Sequence, residues 1–292
     1  MEVITRQNVF SFIQTEETNY QTLPINVSEG YDWNMAQHIK LSLLYKMSQY
    51  ETGKTDDKPF KNIIRPILNL QYRAEGFDVK DIVLFVNSAK EYYKSFLVKK
   101  YHEKWARENN IDTFIDDMVE SYVDFGGALI KNINDKKPEV IQLQGLAFCD
   151  QTNILSGPIC LKHFYAPDQL KEMEKKGWKN IDELIILAQE SKDTDQTRKQ
   201  IKTPGKYVKV YELHGVLPDW WLDEEKDNGE YTRQMHVVAF YQTRDNKSEA
   251  ISLYKGKEGE SIFKFISRDK IFGRALGFGG AEELFEPQVW TN

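Results

Sequence analysis

Cysteine and histidine are scarce in this chain: two and five of 292 residues, respectively. Cys149 and Cys160 stand apart, with no CxxC pair and no paired histidine nearby. That excludes a recognisable zinc ribbon or a disulfide framework and leaves two small half-buried thiols of a reducing compartment. His38, His102, His163, His214 and His236 are scattered, and none has the glutamate and i, i+4 partner of a zinc hydrolase helix. Each is read as a surface or strand histidine. No GxSxG occurs, and Ser156 before Gly157 and Pro158 reads as a turn residue. Gly273, Gly277, Gly279 and Gly280 are followed by no GK[ST] and preceded by no strand of β-α-β character, which argues against a phosphate loop. The expectation is therefore no catalytic residue, no cofactor and no metal ligand.

Long apolar runs are missing as well. None approaches the ~18 residues of a membrane span. The opening MEVITRQNVFSF has neither the charged n-region nor the apolar h-region of a signal peptide, so a chain that stays in the cytosol is expected. Its 40% hydrophobic and 29% charged residues suit a folded chain of one or two domains. The net charge of −6 argues against a surface that coats nucleic acid, though not against contact through a local patch.

What is present changes character near residue 130. Before it the periodicity is helical: Ile39, Leu43, Met47 and Tyr50 share one face, and Val79, Ile82, Val83, Val86, Tyr93, Leu97, Tyr101 and Trp105 another. Ile111, Phe114, Ile115, Met118, Val119, Tyr122 and Val123 form an uninterrupted stripe that Gly126 and Gly127 stop. After them short strands prevail. ALIKNIND and EVIQLQGLAF read as the arms of a hairpin, and YVKVYELHGVLP, RQMHVVAFYQT and EAISLYKG as further strands. Two helices interrupt them, one opened by Pro167 and closed by Gly177, the other opened by a capping box at Asn180 to Glu183. Residues 191–206 are polar and unpatterned and read as a mobile surface loop.

Three local features carry some chemistry. Asp219 close to Glu224, Glu225 and Lys226 has the residue types with which nucleases hold a divalent ion, but the two halves of such a site normally sit on neighbouring strands, which these few positions do not allow. A solvated turn is the better account. Trp220 and Trp221 read as a core cap with one ring at the edge; if both are exposed they become an interface anchor. Lys99, Lys100, Lys104 and Arg107 lie on a helix that also carries Tyr101 and Trp105, a solvated basic face or a contact with DNA phosphates.

The order of elements says more than these motifs. Tyr122 to Ile133 runs from helix through glycines into a strand. Gly277, Gly279, Gly280, Glu282, Glu283 and Gln288 open a helix after the β-rich stretch. With Tyr211, Glu212, Gly215, Leu217 and Pro218 in between, this resembles the portal proteins of tailed phages and related viruses, in which a stem helix enters a β-rich clip and a second stem helix returns from it. The resemblance implies an α+β fold with a helical wing-like region at 1–110, a stem-like helix at 111–131, a β-rich clip-like domain with two short helices at 132–272, and the start of a returning stem helix at 273–292. It implies that the remaining wing, tunnel loop and crown lie beyond Asn292, or that the chain is a shortened relative.

It further implies a structural protein and not an enzyme: a dodecameric homo-oligomeric ring at a capsid vertex of the virion, assembled in the host cytoplasm. Such a ring passes double-stranded DNA and docks a terminase, a head-tail adaptor and the capsid protein, with no membrane involved. Its head-to-tail interfaces would use helix 111–131 and strands 139–148, 206–217 and 232–242. Two alternatives stand beside it, a metal-dependent nuclease using 219–226 and a monomeric β-rich interaction module docking through Trp220 and Trp221.

Overall fold

The structure is a computed structural model that describes residues 8–49, 61–83, 88–132, 137–190, 207–223, 229–242 and 248–291. In chain order its helices are α1 (Val9–Thr22), α2 (Met35–Lys46), α3 (Ile64–Glu75), α4 (Tyr92–Glu108), α5 (Ile111–Phe125), α6 (Pro167–Glu174), α7 (Ile181–Glu190), α8 (Gly280–Glu283) and α9 (Phe285–Thr291). The strands are β1 (Ile25–Ser28), β2 (Tyr31–Trp33), β3 (Gly127–Lys131), β4 (Glu139–Ile141), β5 (Leu146–Phe148), β6 (Ile159–Tyr165), β7 (Val208–Pro218), β8 (Tyr231–Gln242), β9 (Ser248–Lys257) and β10 (Phe263–Ser267). Helices and sheets are segregated along the chain, so the fold class is α+β. Among the described residues no helix is long and apolar enough to cross a membrane.

Two compact units result. The first joins Met1–Pro24 to Gly145–Ser261, the second Ile25–Gln144 to Ile262–Asn292. This division departs from boundaries at 110, 132 and 272. Helix α1 belongs with the β-rich unit, while β4 and β10 flank β3 and so belong with the helical one.

The first unit is a five-stranded antiparallel meander in the order β5-β6-β7-β8-β9. Strand alternation puts Val208 and Val210 on one face of β7, with Val237 and Ala239 of β8 beside them. Leu170 of α6 and Ile181 and Leu184 of α7 close this face. Pro167 sits at the first position of α6, where its missing N–H costs nothing. Asn180 adopts a left-handed backbone (φ 58°), and its Nδ2 donates to the Ser252 carbonyl at 3.1 Å, which fastens the start of α7 to β9. On the other face Tyr211 donates to Glu17 of α1 at 2.5 Å, and Lys162 and Lys209 approach the same carboxylate. Asn8 caps α1 by accepting from the Ser11 amide.

The second unit is built on α5. Its buried line, Ile111, Ile115, Val119 and Val123, packs with Ile64 and Leu68 of α3 and Ala106 of α4, while Phe114 and Tyr122 flank it half-buried. Each fully buried apolar side chain contributes roughly 2 kcal/mol here. The helix ends at Phe125, not at 131, because Gly126 turns left-handed (φ 76°) and Gly127 begins β3. The expected hairpin is present, with Leu129 opposite Ile141. Its second arm breaks after Ile141, and β5 joins the meander instead.

Two helical readings were too generous. Helix α2 stops at Lys46, leaving Met47 exposed, and Tyr50 lies outside the described residues. The long face from Val79 to Trp105 is not one helix: Val79 sits in a single 3-10 turn, α4 starts only at Tyr92, and Val86 is outside the described residues. The 191–206 segment also lies outside them.

Candidate functional site

In the second unit the chain leaves α5 along β3 and comes back along β10, antiparallel and in register from Phe263↔Lys131 to Ser267↔Gly127. The two passages are tied where they meet the helices. The Gly126 carbonyl accepts from the Arg268 amide at 2.9 Å and from the Gly277 amide at 3.1 Å. The backbones come so close that a Cβ on Gly126 would overlap the Gly277 carbonyl, one on Gly277 the Arg268 carbonyl, and one on Gly279 the Asp124 carbonyl. Glycine is required at this crossing for want of space.

Buried polar groups brace it on both sides. Asp124 at the end of α5 is only 3% exposed and pairs with Lys46 of α2 at 2.5 Å. Tyr72 of α3 donates to its other oxygen, and Lys46 also meets Glu120 at 2.5 Å. Burial pushes the Asp124 carboxyl up against the pull of Lys46, and it raises the Tyr72 phenol too. For Lys46 burial works the other way but is outweighed by Asp124, so the ammonium stays charged. A pocket of about 160 Å³ opens beside this group, with Asp117, Gln142 and Gln144 on its wall.

On the returning side Arg274 is 2% exposed and fully engaged. Its guanidinium donates to Glu282 through both terminal nitrogens (2.9 and 2.6 Å), to Tyr31 Oη (3.0 Å) and to the carbonyls of Leu276 (3.0 Å) and Gly277 (2.8 Å). It also lies 5.1 Å from the Trp33 ring centre. Burial, helped by Arg274, holds the nearby His38 imidazole down to about 4, although Glu282 stands 3.7 Å away. Gln288 of α9 donates to the Lys61 carbonyl (2.7 Å) and accepts from the Ile63 amide (2.9 Å). Glu282 and Gln288, which the sequence marked only as part of a glycine-rich opening, thus lock the returning segment to β2 and to the start of α3. These groups hold backbone in place and leave no activated nucleophile.

The first unit brings together histidines that the sequence left scattered. Glu212 and His214 alternate onto one face of β7, and register places His163 of β6 on that face. Glu212 bonds His163 Nε2 at 2.8 Å and His214 Nε2 at 3.0 Å, and Glu258 meets His214 Nδ1 at 2.6 Å. Burial lowers the His214 pKa, but the two carboxylates override it and raise it. The i, i+2 spacing of Glu212 and His214 was the legible signal; the other two partners needed the register. His236 is buried beside Gln234, and burial with Lys255 nearby holds it down to about 4. Among the described residues no group of three or more His, Cys, Asp or Glu side chains could hold a metal ion.

Asp219 is 5% exposed and structural in its contacts: its side chain accepts from Thr232, and its carbonyl takes the Leu222 and Asp223 amides. Glu224, Glu225 and Lys226 lie outside the described residues. Trp220 and Trp221 are both half-buried, Trp221 against Phe12 (5.3 Å) and His236 (6.1 Å), and Trp220 against Tyr231 (6.2 Å). The condition for an anchor, both rings exposed, is not met. Cys149 and Cys160 are fully buried rather than half-buried, and burial pushes the Cys149 thiol up to about 12. Lys99, Lys100, Lys104 and Arg107 are exposed on α4, as a solvated basic face requires. No protein-family model matches the sequence, and comparison with curated proteins found no match.

Proposed function

We propose that this chain is a ring-forming structural protein of the portal type, with α5 as the stem helix, the β-rich unit as the clip, and Gly273 to Thr291 as the start of the returning stem. One observation carries the reading. A β-rich excursion leaves the end of a helix and returns beside its own exit, along paired strands β3 and β10 and through a glycine crossing built for close passage. A protein that transmits position between a helical body and a β-rich end needs that crossing to be stiff. The buried Asp124–Lys46 and Arg274–Glu282 pairs supply stiffness.

The function is mechanical. Duplex DNA passes through a channel while a separate terminase performs ATP hydrolysis, and an adaptor and the capsid protein bind the outside. The net charge of −6 suits a wall along which a polyanion must slide. Native mass spectrometry and negative-stain imaging of the purified chain test this. Closed rings of about twelve copies with a central hole are expected. A monomer at all concentrations, or magnesium-dependent cleavage of DNA lost on Asp219→Ala, overturns it.

A further inference from the structure

Helix α4 buries little of its own apolar surface. Tyr93, Phe96, Leu97 and Tyr101 are between 57% and 72% exposed and lie side by side at i, i+3, i+4 and i+8 along one broad face. The only buried residue of the helix is Ala106, near its far end. Large side chains of this kind expose on the order of 150 Å² each when half uncovered, so the face approaches the ~800 Å² per partner of a standard interface. Lys100 and Lys104 run along the same face, Lys100 lying 5.9 Å from the Phe96 ring centre.

The complementary surface lies on the next helix. Between Ile111 and Phe125 there are five acidic residues and no basic one, whereas Tyr92–Glu108 carries five basic residues and two acidic ones. Asp116, Asp117 and Glu120 are exposed on the side of α5 away from its buried line, with Met118 half-buried beside them. Their i, i+1 and i+4 spacing matches the i, i+4 spacing of Lys100 and Lys104. Each copy therefore carries both halves of a match on different helices of one unit.

We infer that the aromatic and basic face of α4 docks on the acidic outer face of α5 in a second copy of this chain. The interface is heterologous, so repetition gives a ring or a filament rather than a two-fold dimer. The aromatic side chains supply buried area, and the charges set register and direction. This deepens the ring reading, on which it rests, by naming the surfaces.

Two charge-reversed chains test it, Lys100→Glu/Lys104→Glu and Asp116→Lys/Asp117→Lys, all at exposed positions, with circular dichroism to confirm that each folds. Alone, each places like charges across every interface and should dissociate at least tenfold more readily than the parent in sedimentation velocity. Mixed, they should co-assemble with alternating copies, since every α4 then meets an α5 of opposite sign. Reversed chains that assemble alone as the parent does overturn the interface and leave the ring reading standing. Failure of the mixture to assemble also overturns the interface, and a monomeric parent overturns the ring. If α4 instead binds duplex DNA and Lys100→Glu/Lys104→Glu abolishes that binding without changing assembly, its partner is nucleic acid and the inference fails.

Discussion

Gly126→Ala should be far more damaging than its size suggests. The residue sits at φ +76°, where an L side chain costs ~1–2 kcal/mol. Its new methyl would also overlap the Gly277 carbonyl and crowd the Gly279 nitrogen, and forced overpacking of that kind costs ~1–3 kcal/mol. Together the loss is about 2–5 kcal/mol. Gly30 offers a matched control in the same unit: its φ is +79°, but nothing lies within 4 Å of a Cβ there, so only the backbone cost applies. Hydrogen exchange of peptides covering α5 and β3, followed through a urea series, reads the stability of this unit apart from the other. Gly126→Ala should move the midpoint by roughly 1–2 M for a slope near 2 kcal/mol per molar, and Gly30→Ala by less than half of that. Equal shifts for the two substitutions would refute the crossing as a place where backbones need glycine for space.

Two further outcomes follow from the buried charges. Lys46→Met leaves Asp124 buried without its cation and should cost about 3 kcal/mol in urea unfolding, most of it regained in Lys46→Met/Asp124→Asn; a single-variant loss below about 1 kcal/mol speaks against the pairing. His38 is held down to about 4 in the folded chain against about 6.5 unfolded, so the unfolded form binds more protons between those values and stability falls as pH drops through that window. The loss approaches about 3 kcal/mol by pH 4, and melts of His38→Gln should lack that part of the slope; an unchanged slope refutes a buried neutral imidazole. His214 acts in the opposite sense in the other unit, its contribution full below its unfolded value and lost as pH rises through its raised one.

Much of α5, the β3–β4 hairpin and the three long strands could be read from periodicity, because a buried stripe or an alternating face is a local pattern. Helix α4 shows the limit of that signal. Tyr93, Leu97 and Tyr101 repeat at helical spacing as a core face does, yet they face solvent, since spacing reports that a face is apolar and not what covers it. The crossing was legible only as glycines in two places. What makes Gly126 and Gly277 necessary is each other's backbone, about 150 positions away in sequence, and no window along the chain contains both. His163 and Glu258 were hidden for the same reason: their partners are set by strand register. Gln288 looked like an ordinary polar residue of an amphipathic helix, and its burial follows from the free amide and carbonyl ahead of α3.

Because β10 lies between β3 and the returning segment, the helical unit is interrupted in the middle by more than a hundred residues of the other one. As the chain emerges from the ribosome, the meander β5 to β9 pairs each strand with its immediate predecessor and can form from short loops as soon as it is made. The helical unit cannot. Its β3 lacks one neighbour, and α5 lacks the cover of Leu284 and Phe285, until the last thirty residues are translated. The acidic side of α5 and the aromatic side of α4 are thus presented by an unfinished subunit until synthesis is nearly complete. The order of translation delays a firm union of two copies until both have closed the crossing.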